Sequence, residues 1–448
     1  MNQAVDASRI PELQAVARMA LDEARRAGAD QAEADVSLQQ GLNVTVRLGE
    51  VETLEYQRDR GLSITVYFQK AKGSASSADL RPEAVRDMVA KACAIARHTA
   101  RDECAGLADP DQLARDIPDL QLDHPWDVTP ESAIELTRAC EAAGLAVDRR
   151  LTNSEGASLS THRGVHVYAN SHGFLAGYPS SSHSLSCVLL AQDGDDMQRD
   201  YAWTAARNPA ALEPLEAIGR RAGERAVARL GARQLETRKA PVIFCADLAR
   251  GFFGHLVAAV RGSSQYRKAS FLLDAAGTQV LPAWLQLQER PHLPAGLASS
   301  PFDGEGVATR DRELVRDGVL QGYVLGSYSA RKLGLQTTGN AGGIHNLLVQ
   351  GAPGAPDLQG LLRQMGEGFY VTELLGQGVN GVTGDYSRGA SGFWVSGGEI
   401  GPAVHEVTIA GNLRQMYRDV VAVATDVDRR GAIQSGSVLV DGLTIAGQ

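Results

Sequence analysis

The amino-acid sequence predicts an α+β protein: an N-terminal antiparallel sheet carrying helices, followed by a C-terminal, β-rich domain built as a barrel-like mixed sheet. Two observations predict this. Near the N-terminus the apolar period switches from helical to two and back to helical, the pattern of helices laid on an antiparallel sheet. Past residue 260 helical periodicity nearly vanishes, and short apolar runs alternate with glycine turns. The chain has 448 residues, 48 of them glycine, long enough for two or three domains and a sizeable core. The expected divisions are 1–105 for an N-terminal α+β domain, 106–235 for a middle α+β segment packing with the first, and 236–448 for a C-terminal β-rich domain.

The first expected helix covers residues 10–27. Ile10, Leu13, Ala17, Met19 and Leu21 mark its mostly apolar side, and Gly28 is placed to cap it. Alternation follows: Leu42, Val44, Val46 and Leu48 face one way, Asn43, Thr45 and Arg47 the other. Residues 51–56 and 62–68 read as two further strands, separated by a polar turn at Arg58-Asp59-Arg60-Gly61. Residues 81–97 return to a helical pattern, and the Asp- and Pro-rich stretch 106–129 reads as a linker or surface crossing. Pro130 opens a helix to about residue 143. Strands are expected at 165–168 and 184–190, with a turn at Ser180-Ser181-Ser182 between them, and then a long helix over 212–230 after Pro209. The charged stretch 233–239 holds the boundary between the halves. Beyond it, a buried strand at 241–245 leads into a helix over 248–260. Asp317-Gly318 and Ser396-Gly397-Gly398 predict two hairpins.

The formal net charge is -9. An acidic chain repels a phosphate backbone, so no nucleic-acid partner is expected. No apolar run reaches membrane-spanning length and the N-terminus lacks the apolar centre of a signal peptide, which predicts a cytoplasmic protein without a membrane partner. The five cysteines are scattered and never spaced C-x-x-C, as suits a reducing compartment. Cys245 ends the apolar run Val242-Ile243-Phe244 and reads as a core thiol rather than a nucleophile.

A zinc protease needs two histidines on one helix face, a Glu to activate water, and a third ligand from elsewhere. His-Glu occurs once, as His405-Glu406, with Ile409 and Ala410 where a second His would fall; the pair reads as polar residues on a strand. His162 and His166 have helical ligand spacing, but Gly164 interrupts them and Val165 and Val167 alternate around His166, so a strand is the better reading. His172 completes this loose cluster, and His183 is near in sequence but lies past a turn-rich stretch. The Gly339-Asn340-Ala341-Gly342-Gly343 run lacks the strand and helix that flank a phosphate cradle. Gly389-Ala390-Ser391-Gly392 has the wrong spacing for a serine elbow. The residues alone thus describe a two-part protein without a self-sufficient active site.

Several blocks, in order, carry a family resemblance. They are Pro241-Val242-Ile243-Phe244, Ala249-Arg250-Gly251-Phe252-Phe253-Gly254-His255-Leu256-Val257, Ser300-Pro301-Phe302-Asp303-Gly304-Glu305-Gly306, and Gly322-Tyr323-Val324-Leu325 running into Ala330-Arg331-Lys332-Leu333-Gly334. Thr338-Gly339-Asn340-Ala341, the stretch from Gly384-Asp385-Tyr386-Ser387-Arg388 to Phe393-Trp394, and Thr408-Ile409-Ala410-Gly411-Asn412-Leu413 complete the set. Together they resemble the TldD/PmbA metalloprotease family, and within it the PmbA (TldE) branch. In the TldD branch the second-half helix carries H-E-x-x-x-H, and a late Cys is a further ligand. On that frame this chain has Gly254 for the first His, His255 for the Glu and Ala259 for the second His, with Gln434-Ser435-Gly436 in the tail region.

The resemblance therefore implies a non-catalytic subunit with no metal or cofactor of its own. Its expected partner is a TldD-like catalytic chain that holds a zinc-type divalent metal, forming a heterodimer that degrades or trims unfolded, extended peptides and matures ribosomally made ones. A homodimer stays open when that partner is absent. The family's old label, modulator of DNA gyrase, does not imply DNA binding. Phe252 and Leu256 are expected to anchor the helix, leaving His255 at its edge beside the interior shared with the partner. Asp385, Tyr386 and Arg388 are candidates to line the substrate cavity. Two other readings stay open: an independent hydrolase using Asp385, Tyr386 or Arg388, and a peptide-binding module without a protease partner.

Overall fold

A computed structural model describes residues 5–447. The first half is one antiparallel sheet of six strands in the order β3-β2-β1-β4-β5-β6. In chain order its elements are α1 (Ile10–Arg26), β1 (Gln31–Arg47), β2 (Glu50–Phe68), β3 (Ala71–Ser77), α2 (Pro82–His98), α3 (Pro130–Leu145), β4 (Leu151–Asn170), β5 (Leu175–Asp193), β6 (Asp196–Ala206) and α4 (Leu215–Ala228). Strand β1 buries its even-numbered residues at both ends, with only Gln40 between them half-exposed, so a single face of the sheet carries all four helices. Leu13 and Ala17 of α1 and Val89 of α2 cover Val36, Ile64 and Val167 at one end. Cys140 of α3 and Ile218 and Ala222 of α4 cover Val44, Leu159 and Leu185 at the other. Helices α3 and α4 cross closely because glycine removes the side chain between them: a Cβ on Gly219 would sit 1.8 Å from the Cys140 carbonyl oxygen.

Four local expectations are corrected here. Residues 58–61 are not a turn: β2 runs through them, with Arg58, Asp59 and Arg60 opposite Gln40, Gln39 and Leu38 of β1. Long-range pairing overrides the local turn chemistry. Leu48 does not continue the buried series; it sits in the β1–β2 turn with φ 50° and is exposed. Ser180, Ser181 and Ser182 lie inside β5, opposite Gly164, Arg163 and His162, and the connection falls instead at Ser171–Phe174. The helix expected from 212 begins at Leu215 because Pro214 occupies its N-cap and holds the preceding residue out of helical conformation.

The second half contains β7 (Arg238–Phe244), α5 (Ala246–Ala259), α6 (Gly262–Tyr266), β8 (Gln286–Glu289), β9 (Arg312–Arg316), β10 (Val319–Leu320), α7 (Ser327–Leu333), β11 (Leu347–Gln350), α8 (Leu358–Met365), β12 (Gly368–Leu375), β13 (Asp385–Ser396), β14 (Glu399–Asn412), α9 (Leu413–Arg418), β15 (Val420–Val423), β16 (Ile433–Gln434) and β17 (Val438–Ala446). Strands β14, β13, β12, β7 and β17 are neighbours in that order, and β14 also pairs with β17, so five strands close into a barrel. Only β7 and β12 run parallel in it, which makes the sheet mixed. A second sheet has the order β10-β9-β8-β11-β16. Asp317 and Gly318, both at positive φ, turn the β9–β10 hairpin, and Gly397 and Gly398 turn β13 into β14.

Polar anchors tie the halves together. The Arg207 guanidinium donates to the carbonyls of Gly296 and Leu297 at 2.8 and 2.9 Å. Arg331 donates to the carbonyls of Cys104 and Gly106. Arg229 bridges Asp200 of β6 to Glu373 of β12. Arg430 stacks on the Trp203 ring at 4.1 Å.

Candidate functional site: the face of helix α5

Strand β7 delivers the chain into α5, whose buried residues are Ala249, Phe252, Phe253, Leu256, Val257 and Ala259. Phe252 stacks on Phe244 at 5.4 Å, and the buried Tyr417 hydroxyl donates to the Phe252 carbonyl at 2.7 Å. These contacts fix the rotation of the helix and leave Gly254 and His255 half-buried at its edge. Ala259 is buried, and its carbonyl accepts from Gln265 and Ser270, both at 2.7 Å. Cys245, at the N-cap, is a thiol that burial pushes up to about 12, inert at neutral pH.

The space beside Gly254 is open. A Cβ there would meet only the Ile433 side chain, at 3.8 Å. Strand β16 therefore brings the 433–436 tail segment alongside the helix, with Gln434 nearly buried and Ser435 fully so. The motif positions on α5 and the tail region, about 180 residues apart in the sequence, meet at one place.

His255 faces β13. Its ring lies edge-on to Tyr386, 6.1 Å between centroids. Burial, and then the Arg388 charge, hold its pKa below the usual imidazole range, so it is neutral at pH 7. Tyr386 is pushed up to about 12, chiefly by burial. The buried Nε of Arg388 has no hydrogen-bond partner among the described residues. Tyr386 and Arg388 are two apart on a strand and share this face, whereas Asp385 points away. Asp385 is exposed and accepts from Thr383 (2.7 Å) and Asn412 (3.1 Å), bonds that lower its pKa. The structure thus brings together two of the three β13 candidates, Tyr386 and Arg388, around His255, and leaves Asp385 outside.

This face does not fit a metal ion. Glycine and alanine offer no donor atom, and the groups nearest His255 are a phenol and a cation. Among the described residues no three His, Cys, Asp or Glu side chains form a metal-binding group. Three other histidines are held by contacts in the first half. His166 pairs with Asp35, and His172 contacts Gln31 and the Ala108 carbonyl. The buried His183 contacts Thr161 and the His124 carbonyl. His405 and Glu406 lie on β14, where Glu406 accepts from Gln234.

Two buried carboxylates organise the loops around the barrel, and sequence reasoning assigned neither a role. Glu289 accepts from Asn340 (2.7 Å), the His345 amide (2.6 Å) and Arg312 (2.6 Å). Asp303 accepts from the amides of Glu305, Val307 and Ala341. The glycine-rich run 339–343 is therefore a loop pinned by acidic side chains. The Asn inside that run was the one available signal.

Comparison with known proteins places this geometry. Three domain models of the PmbA/TldA metallopeptidases match in order: domain 1 at 32–96, the central domain at 123–230 and the C-terminal domain at 237–447. Metalloprotease PmbA of Escherichia coli O157:H7 is 52% identical over 94% of this chain and 93% of its own length. The chain belongs to the PmbA/TldD metallopeptidase family. A Bacteroides thetaiotaomicron protein described as a candidate modulator of DNA gyrase has a crystal structure that superposes with a TM-score of 0.93 at 26% identity, covering 98% of this chain and all of its own. TldE from Thermococcus kodakarensis shares the fold, with a TM-score of 0.85 at 20% identity over 96% of this chain and 100% of that one. Helix α5 and the tail beside it both fall inside the PmbA/TldD C-terminal domain. Among the described residues no helix is long and apolar enough to cross a membrane.

Proposed function

We propose that this chain is the non-catalytic, TldE-type subunit of a two-subunit metalloprotease. In this reading the complex works in the cytoplasm, degrades or trims unfolded peptides and matures ribosomally made ones. The observation that carries the reading is the α5 face: Gly254, His255 and Ala259 stand at the motif positions, the tail passes beside them, and no donor set is present. A TldD-like partner supplies the zinc-type ion and the Glu that activates water. This chain closes and lines the chamber, where an extended peptide lies strand-like against a sheet edge.

The test is to purify this chain alone, a TldD-like chain alone, and the two co-expressed, and to assay each on an unfolded peptide. Chelator-sensitive cleavage is expected only from the co-expressed pair, with metal analysis finding no stoichiometric ion on this chain by itself. Chelator-sensitive cleavage by this chain alone would overturn the assignment.

A further inference from the structure

Just past the end of α5 lies a cleft of about 390 Å³, and none of Gly254, His255, Ala259 or the β13 candidates lines it. Its walls come from α6, from the start of α7 and from the pinned loop, through residues 340–343. Glycines let these segments close on one another. A Cβ on Gly262 would sit 2.4 Å from the Ser329 hydroxyl, and one on Gly326 would sit 3.2 Å from Ala341. Gly342 and Gly343 have φ 106° and 132°, a backbone that side chains disfavour. The Gly342 amide donates to no acceptor among the described residues.

Two opposite charges line this cleft without meeting. The Arg261 guanidinium lies against the loop: a Cβ on Gly343 would stand 3.6 Å from its Nη2. Among the described residues Arg261 lines the cleft and makes no ion pair. One oxygen of Glu305 accepts the Ser327 amide at 2.8 Å. Its other oxygen would lie 3.5 Å from a Cβ on Gly326 and accepts nothing among the described residues. A guanidinium and a carboxylate that share a cleft ordinarily pair; here the backbone keeps one beside Gly343 and the other beside Gly326. Between the wall residues Gly326 and Tyr328, Ser327 is 4% exposed, and its hydroxyl has no partner among the described residues. Orphaned polar groups of this kind are rare in native folds. The rings of Tyr266 and Tyr328, edge-on at 5.9 Å, give the lining its apolar part.

The lining selects its ligand by charge. A simple anion is drawn to Arg261 but repelled by Glu305, and a simple cation meets the reverse. A molecule that carries both charges a few atoms apart is held at each end: its carboxylate by the guanidinium and the Gly342 amide, its ammonium by the free oxygen of Glu305. An aromatic side chain on the same molecule packs against the two tyrosines. We infer that this cleft binds a free α-amino acid with an aromatic side chain, its carboxylate on Arg261 and its ammonium on Glu305. This concerns the chain by itself and does not depend on the proteolytic reading.

The experiment is isothermal titration calorimetry of the full chain with three probes. These are L-phenylalanine, phenethylamine, which lacks the carboxylate, and 3-phenylpropionate, which lacks the ammonium. L-phenylalanine should bind saturably, and each of the other two at least roughly tenfold more weakly, because each loses a charged hydrogen bond. Arg261→Gln should bind L-phenylalanine no better than the wild type binds phenethylamine. Glu305→Gln, whose amide oxygen can still accept the Ser327 N–H, should bind it no better than the wild type binds 3-phenylpropionate. Arg261 is exposed, so its variant keeps the test open if the Glu305 variant fails to fold, as judged by circular dichroism. A wild type that does not bind L-phenylalanine saturably, equal binding of the three probes, or a folded Arg261→Gln chain that binds like the wild type each overturns the inference.

Discussion

His255 is the residue at which chemistry and stability can be separated. Its imidazole is half-buried, faces Tyr386 and Arg388, and has a depressed pKa. The unfolded chain takes up a proton near pH ~6.5, while the folded chain resists it. The native state is therefore at its full stability above that pH and loses stability as the pH falls through it toward the lower folded pKa. His255→Gln cannot be protonated, so its melting temperature should fall less than that of the wild type between neutral and mildly acidic buffer. Equal slopes would mean that His255 is protonated as easily in the fold as outside it. The periodicity of α5 placed His255 at a helix edge, because Phe252 and Leu256 declare the buried side. Its neighbours Tyr386 and Arg388 come from a strand more than a hundred residues later, and periodicity carries no such contact. Glu289 was invisible for the same reason: its three donors come from β9 and from the loop before β11, both distant in sequence.

Helices were read more accurately than strands. Each helix of the first half carries its own apolar stripe, and α1, α2 and α3 lie within about two residues of expectation. Strands β2 and β5 are held by partners rather than by local preference, so polar triplets inside them imitated turns. The helix–helix contact at Gly219 had no sequence signal beyond the glycine itself. Gly219→Ala forces the added methyl into the Cys140 carbonyl, a main-chain atom that cannot swing aside. The expected loss of stability is about 1–3 kcal/mol, with α3 and α4 pushed apart. Chemical denaturation measures it, and an unchanged midpoint would show that the two helices are less tightly seated than the structure has them.

The two halves have separate sheets and are joined by side chains and by main-chain bonds such as Ala308 N–H to the Gln112 carbonyl. Trp203 of β6 is the most concentrated of these contacts: Arg430 stacks on its ring at 4.1 Å and Arg250 at 5.4 Å. Both guanidiniums also pair with Asp247 and Asp428, and against the upward push of burial the hydrogen bonds from Arg430 help hold the Asp428 carboxyl below the usual carboxylate range. Trp203→Ala should loosen the coupling, so that differential scanning calorimetry records a broadened or split unfolding transition where the wild type gives one. A single transition at the wild-type temperature would assign the coupling to Arg207, Arg229 and Arg331 instead. The α+β architecture and the barrel-like second half were legible from glycine turns and changing periods. The closure of the barrel was not, because it depends on β17, the last strand of that half, pairing with both β7, its first, and β14.

That pairing has a consequence for how the protein is made. Strand β17 ends at Ala446, and β7 and β14 both wait for it. Until β17 has been made and has left the ribosome, the barrel stands open along one seam. The first half, whose sheet is complete at Ala206, can fold earlier in synthesis, but the second half closes only once β17 has emerged. Between those events the apolar interior behind β7 is without its final wall, and that interval is when the chain most needs shielding from its neighbours.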